Sequence, residues 1–402
     1  MKIISILLRI HAVLLVIGVA VIFANSIASA QDVAKPQADS ARSRLATILH
    51  EVRDEFNLPA LGAAVVVDGK LLDYDAVGVR KRGEAVPVTR DDQFHLGSCT
   101  KAMTATLLAR LIESQQIRES LTIAEAFPEW KETMLEEYRD VTFPMLLSHR
   151  AGFPPSGRSW PDGMSHLDVR NLPGEPPQQR LEYVRRMLLQ KPVVEPGTSF
   201  SYSNAGYTVV AVMLEQALDT SWEKLMQQEV FEPLQMTTAG FGAMGTPGQI
   251  DQPWQHRALP VVSKITSTPI EPGPSADNPV SIHPGGGVHC SVRHWSQFVI
   301  AHLTGKSPAG TQYLTEKSLE FLHTPVSDGE YAAGWMILKR GWGDGTVLHH
   351  NGTNTMNFAI AWVAPKRKFA VLVVTNQAGS DEAKACDRVA SSVIRNFLAD
   401  KK

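Results

Sequence analysis

The 402-residue sequence has only three cysteines, too few for a disulfide scaffold. Its 39 Lys and Arg residues nearly balance 41 Asp and Glu residues, so it lacks the basic excess of a nucleic-acid-binding protein. It has no Gly-x-Ser-x-Gly, which counts against the α/β-hydrolase turn, and no His-Glu-x-x-His zinc motif. What it does have is 44% hydrophobic and 20% charged residues, the composition of an ordinary globular protein.

The N-terminus has the pattern of a secretory signal peptide. Lys2 and Arg9 give a basic start, Ala12 to Ala24 is apolar, and Ala28-Ser29-Ala30 has the small residues of a cleavage site. The apolar run is shorter than the ~20 residues that a membrane-spanning helix needs. We therefore expect residues 1–30 to be removed, leaving a periplasmic or secreted protein with no stable membrane span.

After a polar tether at 31–40, strand patterns cluster at the two ends of the chain and helix patterns in the middle. This arrangement predicts an α/β (α+β) protein whose sheet is mainly antiparallel, flanked by helices, with a helical domain inserted. We assign 41–97 plus 280–402 to the α/β domain and 98–279 to the mostly helical domain with long loops. The predicted elements are helices at 42–56, 100–117, 181–190, 206–218, 221–230 and 381–398, strands at 61–67, 70–79, 334–338, 357–363 and 369–375, and irregular stretches at 154–177 and 242–283.

Ser98 and Lys101 form a Ser-x-x-Lys motif at the start of a predicted helix. At i and i+3 the hydroxyl and the amine lie on one helix face. A serine becomes nucleophilic when a neighbouring base takes its proton, and a desolvated lysine can act as that base. The alternative is that Ser98 only caps the helix. A second copy, Ser221 to Lys224, is interpreted as an ordinary capped helix start.

Tyr202-Ser203-Asn204 is the only Tyr-x-Asn in the chain. A tyrosinate held among cations can serve as a general base and return the proton to the leaving group. The Asn204 amide can hold a substrate carbonyl and hydrogen-bond the lysine. The alternative is a core tyrosine beside an asparagine that caps the next helix.

His350-Asn351-Gly352 follows a predicted strand. A glycine in a strand permits a close approach of the backbone to a ligand. The amide of Thr353 could then join that of Ser98 in an oxyanion hole. Lys339-Arg340-Gly341 is a competing candidate for the same position.

These three motifs, in this order, resemble the penicillin-recognising serine hydrolases: class C β-lactamases, D-alanyl-D-alanine carboxypeptidases and related esterases. The likeness extends over roughly Leu45 to Leu398. It includes the segment Phe94 to Leu111, similar to the family's nucleophile helix, and 146–152, similar to its Leu-Leu-x-His-x-Ser-Gly signature. The resemblance implies a β-lactamase/transpeptidase-like fold with Ser98, Lys101 and Tyr202 as catalytic residues. Asn204, His350, Gly352 and Thr353 then bind the substrate or its oxyanion.

The substrate is less well defined, because His-Asn-Gly replaces the Lys-Thr-Gly or Lys-Ser-Gly of penicillin-binding members. We expect a serine hydrolase that forms an acyl-enzyme on Ser98 and cleaves small esters or amides better than β-lactams. Its partner is a small-molecule or peptide acyl donor, and no nucleic acid. Arg150 or Arg340 could replace the missing cation. The alternatives are a β-lactamase or D-Ala-D-Ala carboxypeptidase, and a non-catalytic protein that binds the cell wall or a partner. The absence of Ser-Asp-Asn counts against class A β-lactamases.

Other reactive residues are given simpler interpretations. Cys99 is about 100° around the helix from Ser98, so we expect a buried small residue rather than a nucleophile. A group of histidines and a cysteine has no common zinc spacing, so we expect no metal and no cofactor; it comprises His283, His289, Cys290, His294 and His302. Whether Cys290 and Cys386 pair stays open.

Overall fold

The computed structural model describes residues 35–155, 169–259, 266–327 and 329–398. The helices are α1 (Lys35–Glu55), α2 (Thr100–Glu113), α3 (Ile123–Ala126), α4 (Phe143–Leu147), α5 (Pro176–Met187), α6 (Asn204–Leu218), α7 (Trp222–Met226), α8 (His283–Gly286), α9 (Val292–Thr304), α10 (Glu316–His323) and α11 (Ser380–Val393). The strands are β1 (Ala60–Val67), β2 (Lys70–Gly78), β3 (Phe94–His95), β4 (Gly240–Phe241), β5 (Gln255–Leu259), β6 (Thr266–Ile270), β7 (Val288–Cys290), β8 (Met336–Arg340), β9 (Gly345–Thr353), β10 (Phe358–Ala364), β11 (Phe369–Thr375) and β12 (Gln377–Ala378).

The main sheet is built from both ends of the chain. Its six strands have the order β2-β1-β11-β10-β9-β8, and every neighbouring pair is antiparallel. Strand β11 (Phe-Ala-Val-Leu-Val-Val-Thr) is buried at every position. A short, wholly apolar, β-branched run is typical of a strand covered on both faces. Here α9 and α11 pack against it. The expected fold class, a mainly antiparallel sheet with helices, is confirmed.

Helices α2 and α6 form the centre of the helical part. Residues 205–214 of α6 are all buried, because their sequence Ala-Gly-Tyr-Thr-Val-Val-Ala-Val-Met-Leu is mostly apolar on every face. Gly206 permits this depth: a Cβ at that position would lie 2.8 Å from the Leu146 carbonyl oxygen of α4. These two buried helices give the site a rigid frame.

Several elements differ from the sequence-based expectation. Helix α1 begins at Lys35 rather than Arg42 and so includes most of the expected tether; Pro36 in its first turn is favourable there. Strands β5 and β6 lie inside the stretch expected to be irregular, and helices α9 and α10 were not predicted. Residues Leu45–Lys402 cluster as one compact unit, so the division into α/β and helical domains stays a prediction.

The predicted signal peptide at 1–30 and most of the predicted loop at 154–177 lie outside the described residues. Within the described ranges no helix is long and apolar enough to cross a membrane. All three cysteines are buried free thiols, so Cys290 and Cys386 do not pair. No group of three or more possible metal ligands occurs in the part of the chain that the structure describes.

Candidate active site

Ser98 lies in a tight 3-10 turn, Gly97–Cys99, that leads directly into α2. Gly97 has a φ of 50°, a conformation that residues with a side chain rarely adopt. A Cβ on Gly97 would come within 2.2 Å of the Thr353 nitrogen, which lies at the end of β9. Glycine is therefore required here both for the turn and for the close approach of β9 to the nucleophile turn.

Lys101 is completely buried and contacts three oxygen atoms. Its Nζ lies 3.0 Å from Ser98 Oγ, 2.7 Å from Asn204 Oδ1 and 2.6 Å from the carbonyl oxygen of Gly285. An ammonium group would donate to all three. A neutral amine would donate to Asn204 and Gly285, which can only accept, and would present its lone pair to the Ser98 hydroxyl.

Tyr202 and Asn204 approach Ser98 from the start of α6. The Tyr202 hydroxyl donates to Ser98 Oγ at 2.9 Å. Ser203, not Asn204, caps α6, since its Oγ accepts from the Ala205 amide at 3.3 Å. The alternative interpretation of Asn204 as a helix cap is therefore wrong.

Burial acts oppositely on the two candidate bases. It lowers the pKa of Lys101 to about 7, because a buried ammonium loses its hydration. It raises the pKa of Tyr202 above its ordinary value, although the hydrogen bond with Ser98 opposes this effect. Near neutral pH the amine is thus the better proton acceptor and the phenol keeps its proton, which favours Lys101 over Tyr202 among the two bases that the sequence offers.

The end of β9 lies against the nucleophile turn. A Cβ at Gly352 would meet the Leu96 carbonyl oxygen at 2.0 Å and the Ser98 nitrogen at 2.7 Å. Together with the approach of Thr353 to Gly97, this contact brings the backbones of Ser98 and Thr353 close together. The close approach of these two backbones is compatible with the oxyanion hole that the sequence predicts.

The side chain of His350 faces the protein rather than open solvent. Its Nδ1 contacts the Asn351 carbonyl oxygen, which can only accept, so Nδ1 carries the proton and Nε2 accepts from the Tyr331 hydroxyl at 2.9 Å. Burial, and then the nearby Lys101, lower the pKa of His350 to about 3. At neutral pH this imidazole is uncharged and both of its nitrogens have protein partners, so it offers no cation to a substrate.

A buried carboxylate links the nucleophile turn to α8. Asp277 Oδ1 lies 2.7 Å from His95 Nε2, and Oδ2 lies 2.8 Å from His283 Nε2. The other nitrogen of His95 accepts from the Gly97 amide at 3.0 Å. Burial would raise the pKa of Asp277, but His283 and His95 outweigh it and hold that pKa below its ordinary value. Because α8 also carries Gly285, this hydrogen-bonded cluster of Asp277, His95 and His283 fixes the positions of both Ser98 and an acceptor for Lys101.

The carbonyl of Gly285, the hydroxyl of Tyr331 and the carboxylate of Asp277 were missed by the sequence analysis. The run Gly285-Gly286-Gly287 does indicate close backbone packing, and a Cβ on Gly285 would meet Asn204 Oδ1 at 3.1 Å. Tyr331 and Asp277 stand in no recognisable motif, and only the tertiary structure brings them to the site.

The competing candidates lie away from this arrangement. Cys99 directs its thiol to the carbonyl oxygen of His350 at 3.7 Å, and burial raises its pKa, so it is not a ready nucleophile. Ser221 caps α7, as the sequence predicts. Arg340 is paired with Gly345, at the opposite end of β9 from Thr353, so Lys339-Arg340-Gly341 does not occupy the His350 position.

Comparison with protein families gives one match over most of the chain. The family model described as beta-lactamase matches residues 45–393. The chain belongs to the beta-lactamase family. The resemblance noted in the sequence is thus confirmed, and the protein is a beta-lactamase-family serine hydrolase.

Similar proteins include both penicillin-binding proteins and a hydrolase with acyltransferase activity. Penicillin-binding protein 4 of Amycolatopsis lactamdurans is 28% identical over 337 residues, which cover 81% of this chain and 82% of that protein. The octameric penicillin-binding protein homologue from Pyrococcus abyssi superposes with a TM-score of 0.69 at 19% identity, covering 90% of this chain and 78% of that one. EstCE1, a hydrolase with promiscuous acyltransferase activity, gives 0.70 at 20% identity, covering 88% and 98%. At these identities the two structures support the fold alone.

Proposed function

We propose that the protein hydrolyses small esters or amides through an acyl-enzyme on Ser98. The observation that carries this proposal is the contact of Ser98 Oγ with both Lys101 Nζ and the Tyr202 hydroxyl, at 3.0 and 2.9 Å. A serine that only caps a helix does not require side-chain contacts with a tyrosine and with a fully buried lysine. The non-catalytic alternative leaves this costly burial unexplained.

The neutral amine of Lys101 takes the proton of Ser98 as Oγ forms a bond to the substrate carbonyl carbon. The negative charge that develops on the carbonyl oxygen is stabilised by the amides of Ser98 and Thr353. When the bond to the leaving group breaks, the Tyr202 hydroxyl gives that group a proton and receives the one held by Lys101. Water then attacks the acyl-enzyme by the same route in reverse and frees Ser98.

Esters are favoured over β-lactams because the site has no cation at the His350 position. A β-lactam carries a carboxylate, and a charge-assisted hydrogen bond to it contributes about 1.5–3 kcal/mol. His350 is neutral and already bonded to Tyr331. An ester needs no such contact, because its acyl and alcohol parts carry no carboxylate.

The experiment that tests this substrate class is a comparison of kcat/KM for a p-nitrophenyl ester and a chromogenic cephalosporin. We expect the ester to be cleaved at least tenfold better. A cephalosporin value tenfold above the best ester would overturn the preference. A fluorophosphonate probe that labels neither the wild type nor any variant would favour the non-catalytic alternative instead.

We also propose that the protein acts outside the cytoplasm after cleavage following Ala30. The basic start, the apolar run and the Ala28-Ser29-Ala30 pattern support this proposal. N-terminal sequencing of exported protein should return Gln31, whereas Met1 in the exported fraction would reject it.

A further inference from the structure

A cavity of about 330 Å³ opens beside the candidate active site. The residues on its wall that matter here are Phe200, Tyr331 and Met336, with Arg150 and Glu330 also lining it. Its volume is at the lower end of the range for small-molecule sites, so it suits a fragment of a substrate rather than a whole cofactor.

One wall of the cavity, formed by Tyr331, lies next to the catalytic residues. Tyr331 donates to His350, and its ring centre lies 6.4 Å from that of Tyr202. The ring of Phe200 lies 5.8 Å from that of Tyr331, and Phe200 precedes Tyr202 in the chain by two residues. A group bound against Phe200 and Tyr331 is therefore separated from Tyr202 by a single aromatic ring.

Proximity to Tyr202 decides which part of the substrate the cavity can hold. In the proposed mechanism Tyr202 protonates the leaving group, while the oxyanion faces the amides of Ser98 and Thr353. The inference therefore rests on the proposed function. It assigns the cavity to the alcohol or amine part of the substrate, not to the acyl part.

The lining favours an uncharged, apolar group. Phe200 and Met336 are 51% and 36% exposed, unusually open for large apolar side chains, and both line the cavity. The Arg150 guanidinium donates to the Thr198 carbonyl oxygen at 3.0 Å, and Glu330 brings an opposite charge to the same wall. A charged leaving group would thus be attracted by one of Arg150 and Glu330 and repelled by the other. An apolar leaving group would instead bury the exposed surface of Phe200 and Met336.

We propose that this cavity is the leaving-group subsite, and that it selects substrates whose alcohol or amine is apolar and of aliphatic or benzyl size. Burial of each CH₂ then raises kcat/KM about fourfold, until the cavity is full. The acyl-enzyme formed is the same for every acetate ester, so a kcat limited by its hydrolysis does not change along the series.

The test is kcat/KM for acetate esters of methanol, butanol, hexanol and benzyl alcohol, followed by acid release. We expect a rise along the series for the wild type and a flat response for Phe200→Ala and Met336→Ala. Leu72→Ala is the matched control, since Leu72 is 42% exposed on β2, at the edge of the sheet opposite β8. It should keep the wild-type slope.

A second series separates the two parts of the substrate. With p-nitrophenyl esters of increasing acyl length the leaving group is constant, so Phe200→Ala should not alter the chain-length dependence. The assignment is overturned if the alcohol series is flat in the wild type, or if both cavity variants keep its slope. If Ser98→Ala still cleaves the esters, the proposed function itself fails; if Ser98 is essential and the alcohol series is flat, only the subsite fails.

Discussion

Two Ser-x-x-Lys segments of this chain have the same spacing and opposite environments. Ser98 Oγ contacts Lys101 Nζ and Tyr202, and Lys101 is fully buried. Ser221 instead accepts from the backbone amide of Lys224 at 3.3 Å, and the Lys224 side chain is exposed. The spacing places a hydroxyl and an amine on one helix face in both cases. What distinguishes the first segment is burial, together with partners supplied by α6, α8 and β9.

The largest expected effect is the loss of activity on substitution of Ser98, with Ser221 as the matched control. Ser98→Ala should lower kcat for ester hydrolysis by about 10⁴-fold or more, because removal of a nucleophile leaves only binding and oxyanion stabilisation. Ser221→Ala should keep activity within twofold. Labelling by a fluorophosphonate, mapped by peptide mass spectrometry, checks both variants. Label on Cys99 or Ser221 in the Ser98→Ala protein would contradict the assignment.

Substitution of Lys101 or Tyr202 should lower kcat by about 10²-fold, whereas substitution of Lys224 should not. Lys101→Ala and Tyr202→Phe each remove part of one proton-transfer path, so each should lower kcat by ~10². The double variant should be little worse than the poorer single variant, because groups that act as a unit are not additive. Lys224→Ala serves as the control and should retain full activity. Losses that multiply in the double variant would show that Lys101 and Tyr202 work separately.

The pH dependence should report Lys101. Since its pKa is lowered to about 7 and the neutral amine is the active form, kcat/KM should fall about tenfold per pH unit below 7 and level off above it. His350, with a pKa of about 3, does not titrate in this range. A profile measured on a neutral ester from pH 5 to 9 checks this expectation. A flat profile across pH 6 to 8 would rule out Lys101 as the titrating base.

Removal of the Asp277 carboxylate, which is hydrogen-bonded to His95 and His283, should have a smaller effect. Asp277→Asn weakens the tie between His95 and α8, and misplacement of Ser98 should lower kcat on the order of tenfold with little change in KM. Asp92→Asn is matched for burial, since Asp92 is 2% exposed and paired with Arg80, outside the candidate site. It should lose stability without the kcat effect. Equal kcat values in the two variants would reduce Asp277 to a structural role.

The smallest expected effect is on the free energy of unfolding, and here it is Ser221 rather than Ser98 whose substitution matters. Ser221 is the N-cap of α7, so Ser221→Ala should lower the free energy of unfolding by ~1 kcal/mol. Urea unfolding followed by circular dichroism measures this change. Thr315→Ala, which removes the N-cap of α10, is the parallel case and should give a similar loss.

The sequence was most informative where chemistry resides in side chains that share a motif. Ser98, Lys101, Tyr202 and Asn204 were all predicted, and the structure brings them together. Gly285 acts through its carbonyl and Asp277 through contacts across the fold, which no local pattern encodes. In the fold, β10 and β11 were predicted because their apolar runs are continuous. Helix α9 was missed although Val292, Trp295 and Val299 recur at helical spacing, as their buried face indicates.

The pairing of β1 with β11 also has a consequence for the order in which the sheet can form as the chain is synthesised. Leu61 is opposite Thr375, so the buried strand Ala-Leu-Gly-Ala-Ala-Val-Val-Val has no partner on one edge until nearly the whole polypeptide has been made. A nascent chain in that condition offers an apolar edge to its neighbours, and such edges promote aggregation. Contacts between such distant segments also form slowly. The sheet is therefore completed only when β11, close to the end of the chain, pairs with β1.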